Sequence, residues 1–75
     1  MILKLYADEY FVLDMFTHLQ LLDLNNKHDY TIEDGEFDDE KPCQVFILNN
    51  VDIDILDLVV FVENSDFIGF SIIDV

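Results

Sequence analysis

The spacing of apolar residues changes several times along the chain, and each change marks a predicted element. The opening MILKLYA alternates apolar and polar positions, which predicts a first strand over Ile2 to Tyr6. The next stretch shifts to a helical period. Phe11, Met15, Leu19 and Leu22, with Val12 and Phe16 beside them, fall on one wide stripe, and Asp14, Thr17 and His18 lie opposite. This predicts one amphipathic helix whose stripe faces the core. Asp8 can cap its start, Asp8 and Glu9 suit its positive end, and Asn25-Asn26 can stop it. Lys27 and His28 then sit at the negative end. His18, four residues after Asp14, reads as half of a surface ion pair.

DYTIED, residues 29 to 34, is a short strand candidate that leads into an acidic loop. After Pro42, Cys43 to Leu48 reads as a buried strand. Asn49-Asn50 can form a two-residue hairpin, or Asn50 can cap a helical turn over 51 to 56; the pattern leaves both open. DLVVFVE, residues 57 to 63, is apolar on both faces and is expected to be a central strand. Glu63 to Asp66 reads as a turn and FIGFSIID as the last strand, with Gly69 marking a bulge or a close approach. The expected fold is α+β: an antiparallel sheet of four to five strands with one amphipathic helix packed on one face. Residues 1–75 read as one small acidic domain, with neither repeat nor linker.

Composition changes this picture in two ways. With 52% hydrophobic residues and seven Phe, the chain can build a core, yet 75 residues cannot bury that much. A homodimer, or an apolar patch open to a partner, follows from the excess. Against seventeen acids stand three lysines and no arginine, for a net charge of −14. A small domain ordinarily carries about 2 to 8. That charge repels nucleic acid and anionic membrane surfaces, so neither is expected as a direct partner. A basic protein is the natural counterpart. High-salt adaptation also enriches acids, but such proteins economise on large apolar residues, and this chain does not. Single Cys43 makes no internal disulfide, and the sequence shows neither a signal peptide nor an apolar run of membrane-spanning length. Cytoplasmic residence is expected. The absence of Arg and the single Ala point to AT-rich coding, as in a low-GC bacterial host or its phage.

No chemical motif survives its spacing test. Residues 33–40 hold six carboxylates, but an EF-hand register with Gly35 sixth puts Tyr30 first and Lys41 twelfth. Starting at Asp34 instead puts Asp39 where glycine must be. One Cys and two separated His do not supply a zinc set. Neighbouring carboxylates raise a thiol pKa, so Cys43 reads as a small buried hydrophobe. Ser65 and Ser71 lie in no nucleophile turn, and two glycines do not make a phosphate loop. The chain is therefore expected not to be an enzyme and to need no cofactor or metal.

What remains is the charge itself. Asp52 and Asp54 alternate with Val51, Ile53 and Ile55, so an extended backbone would show both carboxylates on one face about 6.7 Å apart. Fixed anions at such spacing imitate the phosphates of DNA and can occupy a DNA-binding cleft. Several unrelated small phage and bacterial DNA mimics that block restriction, repair or CRISPR enzymes share this physical type. The expected function is an acidic inhibitor that binds the basic, nucleic-acid-binding surface of a target protein, a DNA- or RNA-binding enzyme. The candidate contact residues are Glu33, Asp34, Glu36, Phe37, Asp38, Asp39, Glu40, Asp52, Asp54 and Asp57. The alternatives are an immunity protein or antitoxin neutralising a basic toxin, and a phage or bacterial assembly subunit. Phe37, one aromatic among six carboxylates, either folds back onto the core or anchors in a partner.

Overall fold

The computed structural model describes residues 1–74. Among them run β1 (Ile2–Asp8), α1 (Met15–Leu24), β2 (Thr31–Phe37), β3 (Lys41–Leu48), α2 (Ile55–Glu63) and β4 (Phe67–Asp74). The strands form one sheet in the order β2-β3-β1-β4, and every neighbouring pair is antiparallel. β1 and β2 thus run the same way with β3 between them, the split βαβ arrangement of ferredoxin-like folds. The α+β class and the four-stranded antiparallel sheet are as expected.

Strand alternation decides which face meets the helices. Leu3, Leu5 and Ala7 are fully buried, and the residues between them on β1 are only half-buried. In register with Leu3 and Leu5 stand Leu48 and Phe46 of β3 on one side, and Ile72 and Phe70 of β4 on the other. Leu21 of α1, Leu58 of α2, Val51 and Phe67 complete this core. Phe46 is its centre, edge-on to both Phe11 and Phe67 at 5.7 and 5.4 Å between ring centroids.

Three local readings are corrected. The first helix begins at Met15, not near Asp8, because Asp8 still belongs to β1 and accepts a hydrogen bond from the Tyr10 amide. The cap is Asp14, whose Oδ1 accepts from Thr17 N at 2.7 Å. The helix is also rotated from the expected stripe. Leu21 is buried, and Thr17 and Leu24 are half-buried on its side, whereas Met15, Phe16 and Leu19 point to solvent. His18 accordingly faces inward and makes no ion pair with Asp14: its Nδ1 lies 2.6 Å from the Tyr30 hydroxyl. The stop at Asn25-Asn26 is as expected, with Asn26 and Lys27 in the left-handed region (φ 50° and 66°).

The second correction is α2. The run expected as a central strand is a helix capped by Asp54, which accepts from Leu56 N at 3.2 Å. Asp57 sits in its first turn, at the positive helix end. A continuously apolar run carries no period of its own, so core-facing Leu58, Phe61 and Val62 fit a helical face as well as a strand. The Asn49-Asn50 step is neither of the two alternatives. Val51 and Met1 exchange backbone hydrogen bonds, and the chain stays irregular until α2. The joint here is fully buried Asn25. Its amide donates to the carbonyls of His28 and Asp29, and its oxygen accepts from Asn50 N at 2.7 Å. One side chain thereby ties the end of α1 to the start of the α2 connection, with every polar atom paired.

Third, the acidic loop is a hairpin. β2 runs through Gly35 and Glu36 to Phe37, and only Asp38, Asp39 and Glu40 turn. Asp38 and Asp39 both take left-handed φ (56° and 62°), a conformation that Asp tolerates better than most residues.

Candidate functional site

The hairpin gathers seven of the predicted contact residues. Glu33 pairs in register with Val45 and therefore shares the sheet face away from the helices. Asp34 and Glu36 pair with Gln44 and Pro42 and share the helix-side face, about 6.7 Å apart along the strand. Carboxylates thus flank both sides of an edge strand and continue into the exposed turn Asp38-Asp39-Glu40. On an edge strand such charges also discourage pairing with another sheet.

Phe37 does not stand out into solvent. A Cβ added to Gly69 would lie 2.7 Å from the Phe37 ring, and the Tyr6 ring centroid is 5.4 Å from that of Phe37. The hairpin tip therefore curls over the open sheet face until Phe37 rests on β1 and β4. Gly35, on the same face as Phe37, lets Val45 approach the strand, since a Cβ there would meet Val45 Cγ2 at 2.6 Å. Gly69 was expected to mark a bulge or a close approach; it meets Phe37, and the β1–β4 register slips beside it between Tyr6 and Ala7. Beneath the tip lies a cleft of about 340 Å³ lined by Tyr6, Phe37 and Ser71 with Glu36, Asp38 and Asp39. The Tyr6 hydroxyl donates to Ser71 Oγ at 3.2 Å.

The other three predicted residues lie elsewhere. Val51, next to Asp52, is tied to Met1 at the start of β1, whereas Cys43, near the hairpin tip, pairs with Asp8 at its end. The two groups are thus separated by the length of β1, about 20 Å. Asp52 and Asp54 alternate with buried Val51 and half-buried Ile53, as expected, but Asp54 is engaged as a helix cap and Asp57 belongs to the first turn of α2.

A different surface was not assigned residue by residue from the sequence. Met15 and Phe16 are 70% and 71% exposed on the outer side of α1, with Leu19 beside them and Val12, 83% exposed, just ahead of the helix. Leu56 is 71% exposed on α2, next to Ile55 and Val60. The helix layer therefore carries much of the exposed apolar surface, with Ile32 on β2 and Ile68 and Ile73 on β4 adding smaller shares. Its location was hidden because α1 offers two apolar sides, and the smaller one, Leu21 and Leu24, turns inward.

Electrostatically the acids stand almost unopposed. The one ion pair among the described residues is Lys27–Asp23, exposed at 2.5 Å, and such pairs contribute little. Hydrogen bonds donated by the Thr17 amide and side chain lower the Asp14 pKa. Burial, with Glu36 adding its field, raises the Cys43 thiol, so it stays protonated and inert. Burial raises Tyr30 too, keeping its hydroxyl available to His18. Among the described residues, no group of three or more His, Cys, Asp or Glu is placed to hold a metal ion, and no helix is long and apolar enough to cross a membrane. No family model, curated protein or solved structure matches this chain.

Proposed function

We propose that the protein is an acidic inhibitor that binds the basic, nucleic-acid-binding surface of a target protein, acting as a DNA mimic in the cytoplasm of a bacterial host. The observation that carries this reading is the β2 edge: Glu33 on one side, Asp34 and Glu36 on the other, and three further acids at the turn, all exposed. Carboxylates on both faces of a hydrogen-bonded strand, continued by the turn acids, are attached to an ordered backbone, so a basic cleft binds them without first ordering the chain. Steering by a net −14 speeds encounter with a cationic surface and rejects anionic ones.

The test is capture of a DNA-binding protein from host lysate after nuclease treatment, followed by competition with duplex DNA. DNA should release the captured protein, and replacing Glu33, Glu36, Asp38 and Asp39 by their amides should weaken capture at least ~10-fold. Capture indifferent to DNA and to these substitutions overturns the reading. A second reading, neutralisation of a basic toxin by an immunity protein or antitoxin, draws support from exposed Phe16 and Leu56, since such complexes centre on apolar anchors beside charge. It expects a single toxin as target and no competition by DNA.

A further inference from the structure

We infer that the groove between α1 and α2, with the apolar ridges beside it, takes a basic amphipathic helix of the target. The inference rests on the basic partner proposed above and names the element of it that is gripped. α1 and α2 lie on the same sheet face, and between them opens a groove of about 270 Å³. Leu24, Ile53 and Phe61 give its apolar lining, and Gln20, Asp23 and Asp52 its polar one. Phe16 and Leu19, three apart, stand exposed along α1; Leu56 and Val60, four apart, stand exposed along α2. Together with Val12 and Met15 they expose apolar area on the order of several hundred Å², the size that marks an interaction surface on a small protein.

Charge selects the occupant. Asp23, Asp52, Asp54 and Asp57 gather at one end of the helix layer, and Asp14 and Glu63 lie at the other. A second copy of this chain would set these carboxylates against their own equivalents, with −14 on each side. A partner with an apolar stripe and flanking Lys or Arg meets both the ridges and the ends. The flanking elements are helices whose backbones are already paired, so they offer an extended peptide no ladder. A helix pairs its own backbone and packs between them through side chains alone, which favours it as the occupant. α1, at ten residues, matches about three turns of such a helix.

The probe is a synthetic peptide of about 18 residues with Leu at helical three-four spacing and Lys elsewhere. Its control is the same composition scrambled to destroy the stripe. Titrated into isotope-labelled protein, the amphipathic peptide should bind at least ~10-fold tighter than the scramble. It should shift the resonances of Phe16, Leu19 and Val60, and it should weaken as salt is raised. The double variant Phe16→Ser, Val60→Ser alters exposed positions only. It should keep the wild-type spectrum away from the helices and lose that ~10-fold preference. Equal binding of the scramble, or shifts confined to 33–40, overturns the groove. So does a dimer in sedimentation that tightens with salt and protects Phe16, because a second copy would then be the occupant. The DNA-competition result is independent: peptide binding without DNA-competed capture removes only the proposed function, and the reverse removes only the groove.

Discussion

The acidic hairpin and the helix layer treat their aromatic and charged residues in opposite ways. The hairpin shows carboxylates on every side and folds its aromatic, Phe37, down onto Tyr6 and Gly69. The helix layer turns Phe16, Leu19 and Leu56 outward and keeps its acids to the ends. Exposure of charge on an edge strand costs little in folding. Exposure of several large apolar side chains gives no stability at all, and on a surface it promotes association. The chain therefore carries two recognition chemistries, long-range steering from the edge hairpin and close contact from the helices that cover one face of the sheet.

The strongest way to break this contrast is to compare the two sides of each helix. Leu21→Ala and Leu58→Ala remove fully buried side chains and should each cost about 2–5 kcal/mol in chemical denaturation. Phe16→Ala and Leu56→Ala, made on the outer sides, should stay within about 0.5 kcal/mol. A Phe16 variant that unfolds like the Leu21 variant would mean that α1 packs by its other stripe.

Next comes Phe37. Half-buried over Gly69, it should cost about 1–3 kcal/mol when cut to Ala, below the range for a fully buried aromatic. Gly69→Val should act through the same contact, because the new side chain takes the space of the ring. The Phe37→Ala, Gly69→Val double variant should then be clearly less damaging than the sum of the two singles, measured as a cycle. Full additivity would place Phe37 elsewhere.

The parts of the structure that could be read from the sequence are those where only one pattern was available. Alternation in residues 2–6 and the run 43–48 identified β1 and β3 because a sheet buries them on an obvious face. Two helices defeated the same reasoning for opposite reasons. Around α1 apolar residues occupy both sides, and the wider stripe was assigned to the core. The core has room only for the narrower side, because Phe11, Phe46 and Phe67 already fill the space near the start of the helix. In α2 the Val-rich run favours a strand by propensity, and the decision falls to the Asp54 cap and to the demand for a second cover beside β4. Of the candidate contacts, the hairpin acids were legible as a charge run. Their division between the two sheet faces came only from β2 pairing through Phe37, where a loop had been expected. The distance between them and Asp52 was invisible, since it depends on which end of β1 each segment meets.

A smaller effect separates the hairpin by charge alone. Changing Glu33, Glu36, Asp38 and Asp39 to their amides relieves self-repulsion and should raise stability by a few tenths of a kcal/mol per site at low salt. Added salt should stabilise the parent protein and act less on this variant, a difference readable from paired thermal melts. If the variant melts lower instead, these acids hold the hairpin, and their exposure is no longer free for a partner.

The smallest expected effect is on the helix layer at acid pH, and it belongs to Asp14. Its pKa is lowered in the fold by the bonds from Thr17, so its contribution is present above the unfolded value of 3.8 and is lost as pH drops through the lower folded value. Thermal melts should therefore show this contribution lost on the acid side. Asp14→Asn keeps an oxygen that can accept from Thr17 N but cannot titrate. The variant should track the parent above about pH 5 and lose less stability than the parent below pH 3.8. Identical acid limbs would mean that the Asp14 cap adds nothing as a charge, and that α1 is held in place by its inner contacts, Leu21, Leu24, His18 and Asn25.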